Sequence, residues 1–322
     1  MNILRQIPRT DQALHDIFEK CSDYYQSNTA ELRKIEEFRM TYTMDKAAEW
    51  YTTDSFVYRL INKALRTEDI ELLYLFRFYI VDLCSQLDQE HKKLLSTQIL
   101  TLYRGQIMSK EEFDKLQRSI GSLISPNGFF STSRYVSVAI SFIAGRCNMA
   151  EERPVLFEIT ADSRLESVIF ADIDTYSRMQ GEREVLFSLG AVFIITEIKY
   201  DLCINVWKVY LTETDEGSKE KSEYLKFIKK QMETDYSPTI LFGDLLWRNM
   251  GEFDKAEKYF KILLKSLPYD HEDIPSVYHQ MGNIFFEKGE LNVALDFYAQ
   301  AYGLRCQRLP RSMNPTTNPT RS

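Results

Sequence analysis

The sequence predicts an α+β domain followed by an all-α region built from helical hairpins. Three observations lead to this prediction. Residues 11–97 carry apolar side chains at spacings of three and four, which is typical of helices. Residues 98–213 contain short runs rich in β-branched and aromatic residues, which favour strands. Because helices precede strands without alternation, and because no G-x-G-x-x-G is present, a doubly wound parallel sheet is not expected.

The composition excludes several classes of function. The 322 residues carry a net charge of −7 without a dense block of lysine and arginine, so nucleic acid is not an expected partner. No run approaches the roughly 20 apolar residues that a membrane span needs, and the first residues lack the apolar core of a secretory signal. The five scattered cysteines contain no C-x-x-C pair, so zinc is not expected and reduced thiols are. We therefore expect a cytoplasmic protein without a metal or a membrane partner.

The last third of the chain contains an internal repeat. The pattern Gly251–Ala256 returns 38 positions later as Gly289–Ala294. Each copy fits a helix–turn–helix unit and resembles the tetratricopeptide repeat, whose usual period is about 34 residues. Gly282 occupies the small position of the helix crossing in the second copy. Asp244 occupies it in the first copy, so close packing of that first helix pair is not expected from the sequence.

These patterns predict four segments. They are a first domain over residues 1–213 with a helical part (11–97) and a β-rich part (98–213), a charged helical linker over 214–235, two repeats over 236–306, and a disordered tail over 307–322. Since stacked repeats form a concave surface, we expect a peptide or helix as the ligand of the repeats.

Three short motifs of the β-rich part carry the chemistry. They are Tyr103-Arg104-Gly105, Phe130-Ser131-Thr132-Ser133 and Glu182-Arg183-Glu184. A planar guanidinium at position 104 can clamp a phosphate through two donors, and Gly105 permits close approach of the backbone to a ligand. Ser131 can bind a ribose or orient Glu184. Thr132 and Ser133 are expected to secure the strand end and the start of the next helix.

The two glutamates suit the breakage of a glycosidic bond. A fixed carboxylate at position 184 would stabilise positive charge that develops at a sugar carbon. A second carboxylate two residues earlier can address the incoming nucleophile, and on a straight strand both would lie on one face. Each motif alone has an ordinary explanation as a surface charge, a helix cap or a solvated strand. The ordered set of three predicts a dinucleotide site.

Residues from about Asp45 to Leu211 resemble the arginine-serine-glutamate class of mono-ADP-ribosyltransferases, on the three motifs above. The resemblance implies the ADP-ribosyltransferase fold, with N-terminal helices and a two-sheet β core around a central cleft. It implies NAD as co-substrate, bound by Arg104, Gly105 and Ser131, with Glu184 as the catalytic carboxylate. Members with glutamate at the first position usually modify arginine, so Glu182 points to a protein substrate with an acceptor arginine.

Two aromatic residues and two rival functions stay open. Tyr176, in the turn before the glutamates, is a candidate for substrate recognition, with local packing as the alternative. Phe142 could stack on nicotinamide, but its spacing from Val138 favours a place in the core.

The same motifs would also serve an NAD glycohydrolase, in which water replaces the acceptor. A non-catalytic scaffold acting through the repeats is the second alternative.

Overall fold

The computed structural model describes residues 11–94, 99–145, 150–165, 168–176, 183–216 and 237–308, together with the single residues 148, 181, 223, 226 and 230. Contacts divide the chain into two compact units. One comprises residues 17–225, and the other comprises residues 1–16 with 226–322. Most of the predicted linker and the predicted tail lie outside the described residues.

Helices form the first part of the described chain. Their bounds are α1 (Asp11–Tyr24), α2 (Thr29–Thr41), a 3₁₀ turn (Met44–Lys46), α3 (Ala47–Thr52), α4 (Phe56–Thr67), α5 (Ile70–Leu75) and α6 (Arg77–His91). They enclose an aromatic core in which no side chain is more than 2% exposed, formed by Phe38, Trp50, Tyr51, Phe56 and Tyr79. Each such ring removes about 150–250 Å² from water, so this core holds α3 and α4 in place.

Eight described strands form one mixed sheet. They are β1 (Ile99–Ser109), β2 (Leu123–Ile124), β3 (Phe130–Ser133), β4 (Glu152–Asp162), β5 (Phe170–Asp172), β6 (Glu184–Phe187), β7 (Phe193–Asp201) and β8 (Val206–Glu213). Their order is β2-β7-β8-β4-β1-β3-β6-β5. The β4–β8 pair is parallel and the other pairs are antiparallel. This architecture confirms the predicted α+β fold class, and it places the three motif-bearing strands β1, β3 and β6 side by side. The two sheets that were expected form one continuous sheet instead, because β1 pairs with β3 at Tyr103 and Ser133.

Two short helices, α7 (Lys110–Arg118) and α8 (Val136–Ser141), flank the sheet. Helix α8 lies unusually close to β1 at Gly105. A Cβ atom on this glycine would stand 1.9 Å from the carbonyl oxygen of Ala139, where no real contact can exist. The glycine of the first motif therefore has a packing role in addition to any role toward a ligand, and it lets α8 form one wall of the cleft described below.

The C-terminal helices form two hairpins, α9 (Pro238–Arg248) with α10 (Phe253–Ser266) and α11 (Ile274–Glu287) with α12 (Leu291–Arg308). At the second crossing a Cβ on Gly282 would meet the Tyr298 ring at 2.5 Å. At the first crossing a Cβ on Gly243 would meet the Phe260 ring at 2.3 Å. The expectation of looser packing in the first hairpin is therefore wrong, because Gly243, one position before Asp244, makes the close approach.

Candidate active site

The three motifs meet in one cleft. Strand β3 pairs with β6 so that Ser133 lies opposite Glu184, and the Ser131 hydroxyl donates a 2.5 Å hydrogen bond to Glu184 Oε1. Glu184 is the first residue of β6, as the sequence predicted. Its carboxylate is therefore tied to two rigid strands, which restricts its orientation before any ligand binds.

Arg104 connects strand β1 to Ser131. Strand β1 pairs with β3 at Tyr103 and Ser133, and one residue further the Arg104 guanidinium donates from Nη1 to the Ser131 carbonyl oxygen at 2.8 Å. Its Cζ lies 5.0 Å from the centre of the Phe130 ring, a cation–π distance. Burial lowers the pKa of Arg104, and the charges of Tyr58, Tyr51 and Glu184 oppose that shift. An arginine remains charged even so, which makes it a preformed cation for an anionic ligand.

The cleft has a volume of about 170 Å³. Its lining comprises Tyr58, Tyr103, Arg104, Gly105, Ser131, Thr132, Ser133, Val138, Ala139, Phe142 and Glu184. The cation, the carboxylate and the aromatic side chains therefore share one surface. Sequence reasoning assigned no role in the site to Tyr103, Val138 and Ala139, because nothing in their own positions marks them until the fold brings α8 beside β1.

Phe142 is a correction to the sequence-based expectation. Its side chain is 52% exposed and lines the cleft, so the interpretation as a core residue is wrong. Phe142 follows the last residue of α8 with a helical backbone, so it shares a face with Val138 as the spacing predicts. Both residues line the cleft, so this face of α8 lies against the cleft and not against the core.

The neighbouring hydroxyl groups have the structural roles that were expected. The Thr132 hydroxyl donates to the carbonyl oxygen of Val185 at 2.7 Å and so joins β3 to β6. The Ser133 hydroxyl accepts from the backbone N–H of Tyr135 at 3.0 Å, just before α8 begins. Both bonds hold the strand end on which Ser131 stands.

Tyr58 reaches the cleft from the helical part through an aromatic and amide network. It stands edge-on to the buried Tyr51 ring, with centres 5.2 Å apart. The Tyr51 hydroxyl donates to Asn62 Oδ1, and Asn62 Nδ2 donates to the carbonyl oxygen of Tyr58. Burial raises the pKa of Tyr51, so this hydroxyl stays a neutral donor. The network fixes one turn of α4 against the cleft.

The segment before β6 departs from the straight strand that the sequence suggested. Glu182 lies outside the described residues. Arg183 is described, and its backbone has a positive φ of 47°, the left-handed region. Strand β6 begins only at Glu184. Strand β6 therefore does not extend back through Arg183, and the position of Glu182 relative to Glu184 stays a prediction.

Tyr176 is half-buried and held locally. Its hydroxyl donates to Glu90 Oε1 at 2.6 Å, and its backbone N–H donates to the carbonyl oxygen of Ile173 at 2.9 Å. The bond to Glu90 raises the pKa of Tyr176. Local packing, the alternative given for this residue, describes these contacts, and a role in substrate recognition stays a prediction.

Comparison with known proteins agrees with this geometry. The model of the ADP-ribosyltransferase exoenzyme family matches residues 24–218, which is more than half of the chain. The chain therefore belongs to the ADP-ribosyltransferase exoenzyme family. Its activity is NAD-dependent ADP-ribosylation, and NAD is the co-substrate. No curated protein sequence shows significant similarity to the chain.

Several solved structures resemble it at low identity. The ADP-ribosyltransferase Vis, a toxin from Vibrio splendidus, crystallised with agmatine, is 22% identical, with 66% of this chain and 90% of that chain covered and a TM-score of 0.41. HopU1 of Pseudomonas syringae pv. tomato DC3000 is 19% identical, with 65% and 100% covered and a TM-score of 0.43. The C3 exoenzyme of Clostridium limosum is 17% identical, with 61% and 94% covered and a TM-score of 0.40.

The residues of the cleft fit the dinucleotide. Arg104 offers a charged guanidinium to the pyrophosphate, Phe142 offers an exposed ring to a planar base, and Glu184 offers a carboxylate to a developing cation. Among the described residues, no group of three histidine, cysteine, aspartate or glutamate side chains could hold a metal ion. None of the described helices is long and apolar enough to cross a membrane.

Proposed function

We propose that the protein is a mono-ADP-ribosyltransferase of the arginine-serine-glutamate class that transfers ADP-ribose from NAD to a protein arginine. The observation that carries the proposal is the meeting of Arg104, Ser131 and Glu184 in one cleft, where Ser131 bonds both to the carboxylate and, through its carbonyl, to the guanidinium. The arginine acceptor rests on Glu182, which matches the glutamate that arginine-modifying members carry at this position.

Each residue has a distinct proposed task. Arg104 binds the pyrophosphate, the backbone of Gly105 approaches the nicotinamide amide, and Ser131 supports the nicotinamide ribose. Glu184 stabilises the oxocarbenium-like sugar as the bond from the ribose carbon to the nicotinamide nitrogen breaks. The electron pair of that bond leaves with nicotinamide, which becomes neutral.

The acceptor then closes the reaction. A guanidine nitrogen of the substrate arginine forms the new bond to the ribose carbon, and Glu182 receives the hydrogen bond and the proton from that guanidinium. Water in place of the guanidine would give hydrolysis instead. Tyr176, in the turn before these glutamates, is the proposed contact for the protein substrate.

We further propose that residues 1–213 form the catalytic domain and residues 236–306 form two tetratricopeptide-like repeats that recruit a partner. The two glycine crossings at Gly243 and Gly282 support the repeat assignment, since both hairpins place a glycine against an aromatic ring of the following helix. A substitution on the exposed face of the repeats, such as Phe286→Ala, should weaken labelling of protein acceptors in an extract and leave labelling of agmatine unchanged. Equal loss on both acceptors would contradict recruitment.

The catalytic proposal is tested with radiolabelled NAD and agmatine, a small molecule that carries the guanidinium of arginine without a polypeptide. The expected result is label on agmatine together with release of nicotinamide. Release of nicotinamide without label on agmatine or on any arginine-bearing protein would favour the glycohydrolase. The absence of both products would favour the scaffold.

A further inference from the structure

Arg183 has a backbone conformation that a side chain with a Cβ rarely adopts. Its φ is 47°, in the left-handed region that glycine and, less often, asparagine occupy. The other described non-glycine residues with positive φ are Glu68, which ends α4, and Asn205, which lies in the turn between β7 and β8. Arg183 instead directly precedes Glu184, so its conformation sets the direction in which the chain enters β6.

Specific contacts hold this conformation. Asp174 Oδ1 accepts a 2.9 Å hydrogen bond from the Arg183 backbone N–H, and Asp174 Oδ2 lies 3.9 Å from Arg183 Nε. On the other side, the Arg183 carbonyl oxygen accepts from the Arg134 backbone N–H at 3.2 Å. The backbone N–H of Arg183 is therefore bonded to a carboxylate, and its carbonyl oxygen is bonded to the backbone just after β3.

An ion pair between the two strands beside β6 also holds the start of β6. Arg134 follows β3, Asp172 ends β5, and β6 lies between these strands in the sheet. The Arg134 Nη2 to Asp172 Oδ2 distance is 3.0 Å, so this ion pair spans β6 beside its first residues. The Ile173 backbone N–H donates to the carbonyl oxygen of Glu184 at 3.0 Å. The start of β6 is thus held on both edges.

We propose that Asp174 is a positioning residue for the catalytic carboxylate. Its carboxylate holds Arg183 in the left-handed conformation and thereby directs Glu184 toward Ser131. The side chain of Asp174 does not line the cleft, so its effect reaches the reaction through the backbone of residue 183. The inference rests on the proposed role of Glu184 and adds a residue to the site that no motif marks.

Two substitutions of Asp174 should have different effects on kcat. Asp174→Asn keeps an oxygen that accepts from the Arg183 N–H, whereas Asp174→Ala removes it. We expect Asp174→Ala to lower kcat for nicotinamide release at least tenfold with an unchanged KM for NAD, because Arg104 is untouched. Asp174→Asn should retain at least one third of the wild-type kcat. Adding Arg183→Gly to Asp174→Ala should recover part of the loss, because glycine adopts positive φ without steric cost.

A matched control and an independent readout complete the test. The control is Asp162, whose carboxylate, like that of Asp174, accepts a hydrogen bond from a backbone N–H, that of Arg164 at 3.0 Å. Because Asp162 lies outside the cleft lining, Asp162→Ala should leave kcat unchanged. Hydrogen exchange of the peptide that begins at Arg183 should accelerate in Asp174→Ala. Unchanged exchange, equal kcat in wild type and Asp174→Ala, or equal loss in the alanine and asparagine variants would overturn the positioning role. If the proposed arginine transfer is wrong, the wild-type protein itself labels no agmatine, which is a separate observation from the comparison of the Asp174 variants.

Discussion

The Ser131 hydroxyl donates a hydrogen bond of 2.5 Å to Glu184 Oε1 across 53 residues of sequence. The two residues stand on adjacent antiparallel strands, and Arg104 bonds to the carbonyl oxygen of the same serine. Ser131 therefore joins the proposed NAD-binding cation to the proposed catalytic carboxylate. The consequences of this connection can be tested one side chain at a time.

Removal of the serine hydroxyl should slow catalysis more than it weakens binding. A hydrogen bond to a charged group contributes about 1.5–3 kcal/mol, so Ser131→Ala should lower kcat by roughly 10- to 100-fold. The KM for NAD should rise less than kcat falls, because Arg104, which bonds to the serine carbonyl and not to its hydroxyl, still binds the pyrophosphate. Steady-state nicotinamide release measures both constants. Ser125→Ala is the control, since that hydroxyl also donates a hydrogen bond, in its case to the Ala191 carbonyl oxygen, and lies outside the cleft. Equal kcat in both variants would contradict the role of Ser131.

Loss of the exposed ring in the cleft should affect binding of NAD. Phe142→Ala removes a half-exposed aromatic surface and should raise the KM for NAD by roughly 5- to 12-fold, in line with about 1–1.5 kcal/mol for an aromatic contact. Phe142→Tyr should keep the wild-type KM. Ile120→Ala, a substitution at a side chain that is 50% exposed and lies outside the cleft lining, should also leave KM unchanged. A KM that does not change in Phe142→Ala would show that the ring does not contact the ligand.

A methyl group at position 105 should destabilise the fold. The Cβ of Gly105→Ala would lie 1.9 Å from the Ala139 carbonyl oxygen, so α8 must move away from β1. Overpacking of this kind costs about 1–3 kcal/mol and should lower Tm measurably. Gly128→Ala is the matched control, because its Cβ would have its nearest neighbours, atoms of Asn62 and Leu65, at 3.8 Å. Similar Tm values for the two variants would contradict the packing role of Gly105.

The stability of the protein should fall as pH rises from about 4.5 to about 8 because of Glu213. This carboxyl is 5% exposed, it accepts from the Asp162 backbone N–H at 2.6 Å, and its other oxygen has no hydrogen-bond partner. Burial raises its pKa from 4.5 to about 8, and the charges of Asp162 and Asp215 add to the shift. The folded state therefore binds the proton more tightly than the unfolded state, so the stabilising contribution is present below pH 4.5 and is lost as pH rises through 8.

Glu213→Gln should remove this pH dependence. Between pH 5 and pH 9 the wild type should lose on the order of 4 kcal/mol more of its free energy of unfolding than the variant loses. Urea unfolding at the two pH values measures the difference. Parallel curves for the two proteins would show that the Glu213 carboxyl does not stay protonated in the fold.

The sequence predicted the parts of the site that residue type and order define. Arg104, Ser131 and Glu184 stand at strand positions, and strand pairing brings them together across large sequence separations. The fold class followed from the order of helices and strands. Asp174 and Arg134 could not be found in this way, because their roles depend on the left-handed turn at Arg183. That turn breaks the strand periodicity from which the pairing of residues 182 and 184 was inferred.

Two other differences have similar physical causes. The periodic rule correctly placed Phe142 on the same helix face as Val138, but it could not tell that this face lines the cleft and not the core. Alignment of the two repeats placed Asp244 at the crossing, whereas the helix pair uses Gly243, one residue away. A shift of one residue turns a helix position by about 100°, so a sequence offset alone cannot decide which side chain meets the neighbouring helix.

The central claim is that Glu184 cleaves NAD and Glu182 directs the product to arginine, and one measurement tests it directly. Wild type, Glu182→Gln and Glu184→Gln are assayed side by side with radiolabelled NAD and agmatine, with nicotinamide release and labelled agmatine both quantified. The account predicts both products from wild type, nicotinamide without labelled agmatine from Glu182→Gln, and at least a 100-fold loss of both from Glu184→Gln. Undiminished nicotinamide release by Glu184→Gln, or undiminished labelling by Glu182→Gln, would contradict it.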